Sequence, residues 1–483
     1  MIEHSTVRSG ALRLLADQAF SRTGGAPLVG GNAVRLLKDA AENFPTWLEA
    51  IGSAQRSILF ESYIVGDDAT GREFRDALAA RARAGVRVHV LHDWIGSPGK
   101  LLTRFWRPLR AAGASVRAFN PPRFDSPLGW LSRDHRKSIC VDGRVAFVSG
   151  LCVAARWHGD PTKGREPWRD TGIEIRGPAV ADVERAFAQV WAATGQQLAN
   201  DDLTDPASVP PAGDVHLRVV AGAPSAAGLM RLDQLIASIA RSRLWLTDAY
   251  FLPVATYVQA LCAAARDGVD VRLLVPGASD VPFLSPLSRS AYRPLLEAGV
   301  RVFEWNGTML HAKTAVADGR WARVGSTNLN LASFVGNYEL DVAVEDAGFA
   351  ATMERQYRDD LLHATEIVLE QRRRSRRPVP AQADRSGRRR APSGSAGRAA
   401  AGAVRFGSAI GTAITRPREL LEHDGRIMRT AGGALIVVGV IGAVWPKAIA
   451  WPFAAVALWF AMAFVIRAWR GSRDARRARE DRG

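Results

Sequence analysis

Cysteine is scarce in this chain: Cys140, Cys152 and Cys262 are the only three in 483 residues. An odd number with no C-x-x-C pair excludes a disulfide framework and points to free thiols in a reducing compartment. No Cys/His cluster has the spacing of zinc ligands, so neither a metal nor another cofactor is expected. The N-terminus lacks a continuous apolar run and carries Glu3 and Asp17, so no signal peptide is expected. Net charge is absent from most of the chain. Residues 1–370 hold 41 basic and 41 acidic side chains, whereas residues 371–483 hold 23 and 7, which is the whole excess of +16. A neutral body with a basic tail speaks against nucleic acid as the partner and for an anionic surface.

Long apolar runs occur only near the C-terminus, at residues 431–445 and 448–466, split by Pro446-Lys447. At about 1.5 Å per helical residue the two together reach roughly 54 Å. That overshoots a hydrocarbon core of about 30 Å, so a hairpin of two short helices fits better than one straight span. Arg426 and Arg429 precede the runs, and Arg467, Arg470, Arg473, Arg476 and Arg477 follow them. The positive-inside rule puts both clusters on the cytoplasmic side of the cell membrane, with the rest of the chain tethered there. A buried soluble hairpin is the alternative. Residues 371–402 consist mainly of Arg, Ala, Gly, Ser and Pro and are expected to form a basic, disordered tether.

The remaining 370 residues, 47% hydrophobic with the rest of the chain, have room for full-sized cores and carry one motif twice. His135-Arg136-Lys137 with Asp142 reads H-x-K-x4-D, and His311-Ala312-Lys313 with Asp318 reads the same. Each copy continues into Gly and a short apolar run ending at Ser149-Gly150 or Gly325-Ser326. The sequence before each copy repeats as well. Strands are expected at 57–65, 86–92 and 115–119, with a helix at 71–84, and again at 244–250, 269–275 and 300–304, with helices at 255–266 and 290–297. Apolar strands alternating with helices imply an α/β sandwich used twice. The stretch from Gly113 to His135 is 22 residues and that from Gly299 to His311 is 12. The surplus falls in the apolar loop 120–134, which either touches acyl chains or packs on the domain.

A phosphodiester is anionic and its alkoxide is a poor leaving group. Cleaving it needs cations on the non-bridging oxygens, a nucleophile, and an acid for the departing oxygen. Histidine serves as nucleophile or acid near neutral pH. On a strand, H-x-K places both side chains on one face. Two such strands meeting across a pseudo-two-fold would bring two imidazoles and two ammonium groups to one phosphate.

These motifs resemble those of the phospholipase D superfamily over nearly all of residues 30–365, most closely its bacterial cardiolipin synthase branch. Supporting stretches are Glu61-Ser62-Tyr63-Ile64, Asp93-Trp94-Ile95-Gly96-Ser97, Asn120-Pro121-Pro122, Pro167-Trp168-Arg169-Asp170-Thr171, Tyr250-Phe251-Leu252-Pro253 and Asn337-Tyr338-Glu339-Leu340. The resemblance implies two tandem α/β sandwich domains related by a pseudo-two-fold, here followed by the transmembrane hairpin. The expected divisions are 1–30, an extension; 31–199 and 216–370, the two domains joined by the linker 200–215; 371–425, the tether; 426–470, the hairpin; and 471–483, a basic tail.

The resemblance also implies roles. One histidine, His135 by preference, would form a phosphatidyl-histidine while the other, His311, protonates the leaving glycerol; which of the two attacks stays open. Lys137 and Lys313 would hold phosphate oxygens, Ser326 and Asn328 would add hydrogen bonds, and Asp170 and Glu339 would orient the imidazoles. Asp142 and Asp318 complete the motifs and are read as braces for the motif loop. Cys152 stands where the second copy has Asn328, and is read as a packing residue. The implied activity joins two phosphatidylglycerols into cardiolipin, with phosphatidylglycerol and anionic membrane lipids as partners. Hydrolysis to phosphatidic acid or transfer to another alcohol is the alternative; a nuclease or a non-enzymatic membrane scaffold is a minor one. Oligomeric state stays open.

Overall fold

The computed structural model describes residues 18–97, 104–122, 132–281 and 284–369, with eight isolated positions between Trp445 and Met462. The tether and the tail lie outside the described residues, as do most of the hairpin, most of the loop 120–134 and the first 17 residues. Among the described residues no helix is long and apolar enough to cross a membrane.

Seven strands make the first half: β1 (Val29–Lys38), β2 (Ser57–Ser62), β3 (Arg87–Asp93), β4 (Ser115–Phe119), β5 (Lys137–Val141), β6 (Val145–Ser149) and β7 (Thr171–Arg176). Eight make the second: β8 (Val215–Gly222), β9 (Arg243–Thr247), β10 (Asp270–Pro276), β11 (Arg301–Trp305), β12 (Thr314–Ala317), β13 (Trp321–Gly325), β14 (Glu339–Glu345) and β15 (Ala364–Ile367). The first half runs β1-β7-β6-β5-β2-β3-β4 and the second β8-β14-β13-β12-β9-β10-β11, with β15 added at the outer edge. Each order is the other's image. In each half the last three strands of the repeat are parallel and the others antiparallel.

The sequence suggests two separate sandwiches; the structure joins them into one 15-stranded sheet. The joint is the antiparallel pair β1–β8, with Val29 opposite Leu217 and Asn32 opposite Val215. Each half alone would expose a strand edge here, and pairing satisfies both edges at once. Asn32 locks the seam: its amide donates to Val29 O at 2.8 Å, and its oxygen accepts from Ala179 N at 2.9 Å.

Three apolar clusters fill the fold. One covers the first half, where the helices Asp39–Ser53 and Ala69–Arg83 bring Trp47, Phe44 and Phe74 onto Phe60 and Phe147. Its counterpart in the second half sets Leu232 and Leu261, from the helices Gly228–Ile239 and Ala255–Arg266, on Leu246 and Leu273. The third draws on both halves, with Leu59, Ile173 and Phe187 meeting Leu217, Val316, Val342 and Met353. With both faces covered, β2 is buried along its whole length, which explains its unalternating sequence.

Asp142 and Asp318 sit in the turns after β5 and β12 with φ of 54° and 49°. Asp142 accepts the backbone N–H of Gln55, Arg56 and Ser57 at 2.7–2.9 Å, and Asp318 those of Arg241, Ser242 and Arg243 at 2.8–2.9 Å. Each aspartate therefore fastens the start of β2 or β9 to the turn beyond its own motif.

Candidate active site

The histidines are not on the motif strands. Lys137 opens β5 and Lys313 immediately precedes β12, so each histidine lies in the extended segment leading in. These segments are stitched to the opposite half. His135 N donates to Tyr338 O at 2.9 Å and Tyr338 N to Arg133 O at 2.8 Å; His311 N donates to Arg169 O at 2.7 Å and Arg169 N to Met309 O at 2.9 Å. The backbone after β4 and β11 thus finds its partners just before β14 and β7.

That crossing sets the side chains. His135 Nδ1 lies 2.9 Å from Glu339 of the second half, and His311 Nδ1 lies 2.7 Å from Asp170 of the first. Glu339 also accepts from Ser326 Oγ at 2.6 Å and Asn337 Nδ2 at 3.2 Å. Asp170 accepts from Trp157 Nε1 at 2.8 Å and Thr171 N at 2.9 Å. A carboxylate on Nδ1 fixes the tautomer that leaves Nε2 free to react.

Both imidazoles are buried, His135 being 8% exposed and His311 4%. Burial pushes His135 down to about 4; Lys137 and Lys313 act in the same direction and Glu339 opposes them. His311 falls to about 3 through burial and Lys313, against Asp170. Each ring feels the lysine of both halves, so the four side chains form one electrostatic site. Burial raises the carboxyls of Glu339 and Asp170, but the hydrogen bonds of their histidines and the nearby lysine charges outweigh it and hold both below the usual range. The cationic form of both imidazoles is thus disfavoured and the carboxylate form of Asp170 and Glu339 favoured.

The Lys313 ammonium lies 2.9 Å and 3.1 Å from the ring nitrogens of His311 and donates to the His311 carbonyl, as Lys137 does to that of His135. Burial and the Lys137 charge lower Lys313 to about 8, with Asp170 and Asp248 acting against them. The charged form is the one that attracts a phosphodiester. Affinity for an anionic phosphodiester is therefore expected to be full well below pH 8 and to weaken as pH rises through it. Titration calorimetry between pH 6.5 and 9.5 measures this, and an unchanged affinity across that range refutes it.

Of the residues singled out from sequence, the structure brings together His135, Lys137, His311, Lys313, Asp170, Glu339 and Ser326. Asn328 is buried nearby on the turn after β13, and its Oδ1 has no hydrogen-bond partner among the described residues. Asp142 and Asp318 stay at the far ends of β5 and β12, occupied with backbone donors. Cys152 is buried and burial raises its thiol, which makes it a poor nucleophile.

Comparison with known proteins shows which family this site belongs to. Residues 47–191 and 232–361 match the family described as "Cardiolipin synthase, PLD-like domain". Cardiolipin synthase A of Pseudomonas aeruginosa (strain LESB58) is 35% identical over 382 residues, covering 76% of this chain and 74% of that protein. The chain belongs to the cardiolipin synthase family. A cardiolipin synthase of Geobacillus kaustophilus is 33% identical over 358 residues, covering 72% of this chain and 70% of its own. Phosphatidylserine synthase of Haemophilus influenzae shares the fold, with TM-score 0.58 and 15% identity over 72% of this chain and 91% of that one.

Sequence reasoning gave no role to two buried arginines of this family member. Arg136 fills the middle of the first motif and donates from Nε to Glu339 O at 3.0 Å and from a terminal nitrogen to Gly222 O at 2.8 Å. Arg169 grips Asp360 through two bonds of 2.8 and 2.7 Å and reaches Asp39 at 3.1 Å. Each ties its half to the other beside an orienting carboxylate. The one sequence signal was position: both adjoin residues already chosen. Four aromatic rings frame the histidines, Tyr63 at 4.8 Å from His135 and Trp157, Trp168 and Tyr250 at 5.2, 5.6 and 5.8 Å from His311.

Proposed function

We propose that the protein is a membrane-tethered phosphatidyltransferase that joins two phosphatidylglycerols into cardiolipin and releases glycerol. The observation that carries this is the crossed pair of buried imidazoles, each on the other half's carboxylate, beside Lys137 and Lys313 in a member of this family.

His135 Nε2 attacks phosphorus, and the bond to the glycerol oxygen breaks as His311 supplies its proton. The product of this step is a phosphatidyl-His135 intermediate. The primary hydroxyl of the second phosphatidylglycerol then gives its proton to His311, and its oxygen displaces His135 from phosphorus. His311 must carry a proton in the first step although burial and Lys313 hold it well below its ordinary range. The charge of the bound phosphodiester offsets the two lysines and raises the imidazole toward protonation. Lys137 and Lys313 hold the non-bridging oxygens, with Ser326 and Asn328 alongside.

The halves 31–199 and 216–370, with the linker 200–215, carry this chemistry; the tether 371–425, the hairpin 426–470 and the tail 471–483 hold it at the cytoplasmic face. Supporting this, Trp445, Trp451, Leu458 and Met462 are each more than half exposed, at 67, 70, 70 and 51%. Large apolar side chains left in water are costly, and lipid would cover them. Deleting residues 425–483 is expected to move the protein from the membrane pellet to the supernatant; a truncated chain still wholly in the pellet refutes the hairpin.

The test of function is lipid mass spectrometry on the full chain in mixed micelles with phosphatidylglycerol alone. Cardiolipin with released glycerol is the expected result. Phosphatidic acid without cardiolipin would mean that water resolves the intermediate and the protein is a hydrolase.

A further inference from the structure

Two residues, Val153 and Ala154, lead from Cys152 into the short helix Ala155–His158, which buries Trp157 and leaves Arg156 exposed. The Arg156 guanidinium carbon lies 5.6 Å from the Trp157 ring centre and 5.3 Å from that of Trp168. Those same rings stand 5.2 and 5.6 Å from the His311 imidazole. The same pair of indoles thus lies against both a cation and the second histidine. Among the described residues Arg156 has no carboxylate partner, whereas the neighbouring Lys163 is tied to Asp160 at 2.6 Å.

The feature breaks the symmetry of the fold. Four residues beyond Asn328, where the second half would have its counterpart, stands Ala332. The ring beside His135 is Tyr63, and Lys137 itself lies over that ring, at 5.3 Å. An extra cation thus flanks one histidine through its aromatic wall.

The reaction calls for such a group. Lys137 and Lys313 neutralise the phosphoryl group being transferred, yet the acceptor brings a second phosphodiester anion. In phosphatidylglycerol the attacking oxygen is separated from its own phosphorus by five covalent bonds, a reach of roughly 6 Å once bonds of about 1.5 Å follow a tetrahedral zigzag. The acceptor hydroxyl must meet His311 to lose its proton, so its phosphate comes to rest a short distance beyond that ring. A guanidinium matches phosphate oxygens in pairs and stacks on indole without losing its charge.

We propose that Arg156, seated on Trp157 and Trp168, binds the phosphate of the acceptor lipid and so selects an anionic phosphatidyl alcohol over a neutral one. This rests on the reading above in which His311 takes the acceptor's proton. The second step then balances as before: the acceptor O–P bond forms, the His135 N–P bond breaks, and the proton passes to His311, with Arg156 contacting only the spectator phosphate.

The experiment offers full-length enzyme phosphatidylglycerol and 1-butanol together and measures the ratio of cardiolipin to phosphatidylbutanol. In Arg156→Ala that ratio is expected to fall about tenfold, the scale of losing one charge-assisted hydrogen bond. The loss is expected in the KM for acceptor lipid and not in kcat, and Arg156→Lys is expected to recover most of it. An Arg156→Ala enzyme whose ratio equals that of wild type, whether both products fall together or neither does, overturns the proposal while leaving the synthase reading intact. Wild-type enzyme that makes phosphatidylbutanol and no cardiolipin overturns both.

Discussion

Alanine in place of either histidine is expected to stop cardiolipin formation, lowering kcat by roughly ten-thousand-fold or more. The two variants fail at different points. On the proposed mechanism, with phosphatidylglycerol as donor, His135→Ala would have no nucleophile and His311→Ala no acid for a poor leaving group. A donor with a good leaving group, such as a phosphatidyl p-nitrophenol, removes the need for the acid. His311→Ala is then expected to give a burst of nitrophenol equal to the enzyme present and to stall as phosphatidyl-His135, recoverable by peptide mass spectrometry. His135→Ala is expected to give no burst. The opposite pattern exchanges the roles of the two histidines, and a burst in both variants removes the covalent mechanism.

Neutralising the carboxylate of the opposite half has the second-largest effect. Asp170→Asn and Glu339→Gln are each expected to lower kcat about a thousandfold with KM changed far less. Asp170 and Glu339 are buried at 0 and 2% exposure, so no water substitutes for the lost charge. An amide can donate as well as accept, which permits the imidazole tautomer with its proton on Nε2. It also leaves an imidazolium at that ring without its counter-charge. Asp170→Asn acts on His311, and its burst with the activated donor is expected to survive; Glu339→Gln acts on His135, and its burst is expected to be lost. A drop of less than tenfold in either variant would mean that the carboxylate is a packing partner and not an orienting one.

The reach of sequence reasoning in this protein follows contact distance along the chain. The helix expected at 71–84 is observed at Ala69–Arg83 and that at 255–266 as Ala255–Arg266; the strand at 115–119 is observed as Ser115–Phe119. These elements rest on periodicity and on local stops such as Gly85 and Gly113, both with positive φ. The strands of the seam were not legible. β1 contains Gly30 and Gly31 and a register shift between Val29 and Asn32, so neither its composition nor its alternation marks a strand. Its place is fixed by β7 and β8, far away in the sequence. Placing the histidines on the motif strands put them one step too far in, because the chain before β5 and β12 takes its hydrogen bonds from the opposite half.

By itself the sequence determined the duplication, the order of the repeated strands and helices ahead of each motif, and the candidate reactive groups, because these depend on residue type and short spacings. It also located the whole charge excess beside the apolar C-terminal runs. Tertiary structure alone decided which carboxylate serves which imidazole, for those partners are 204 and 141 residues apart. Burial, the property that keeps both imidazoles neutral and lowers Lys313, belongs to no residue in isolation. It arises when two half-sheets pair at β1 and β8 and close a shared core behind the motifs.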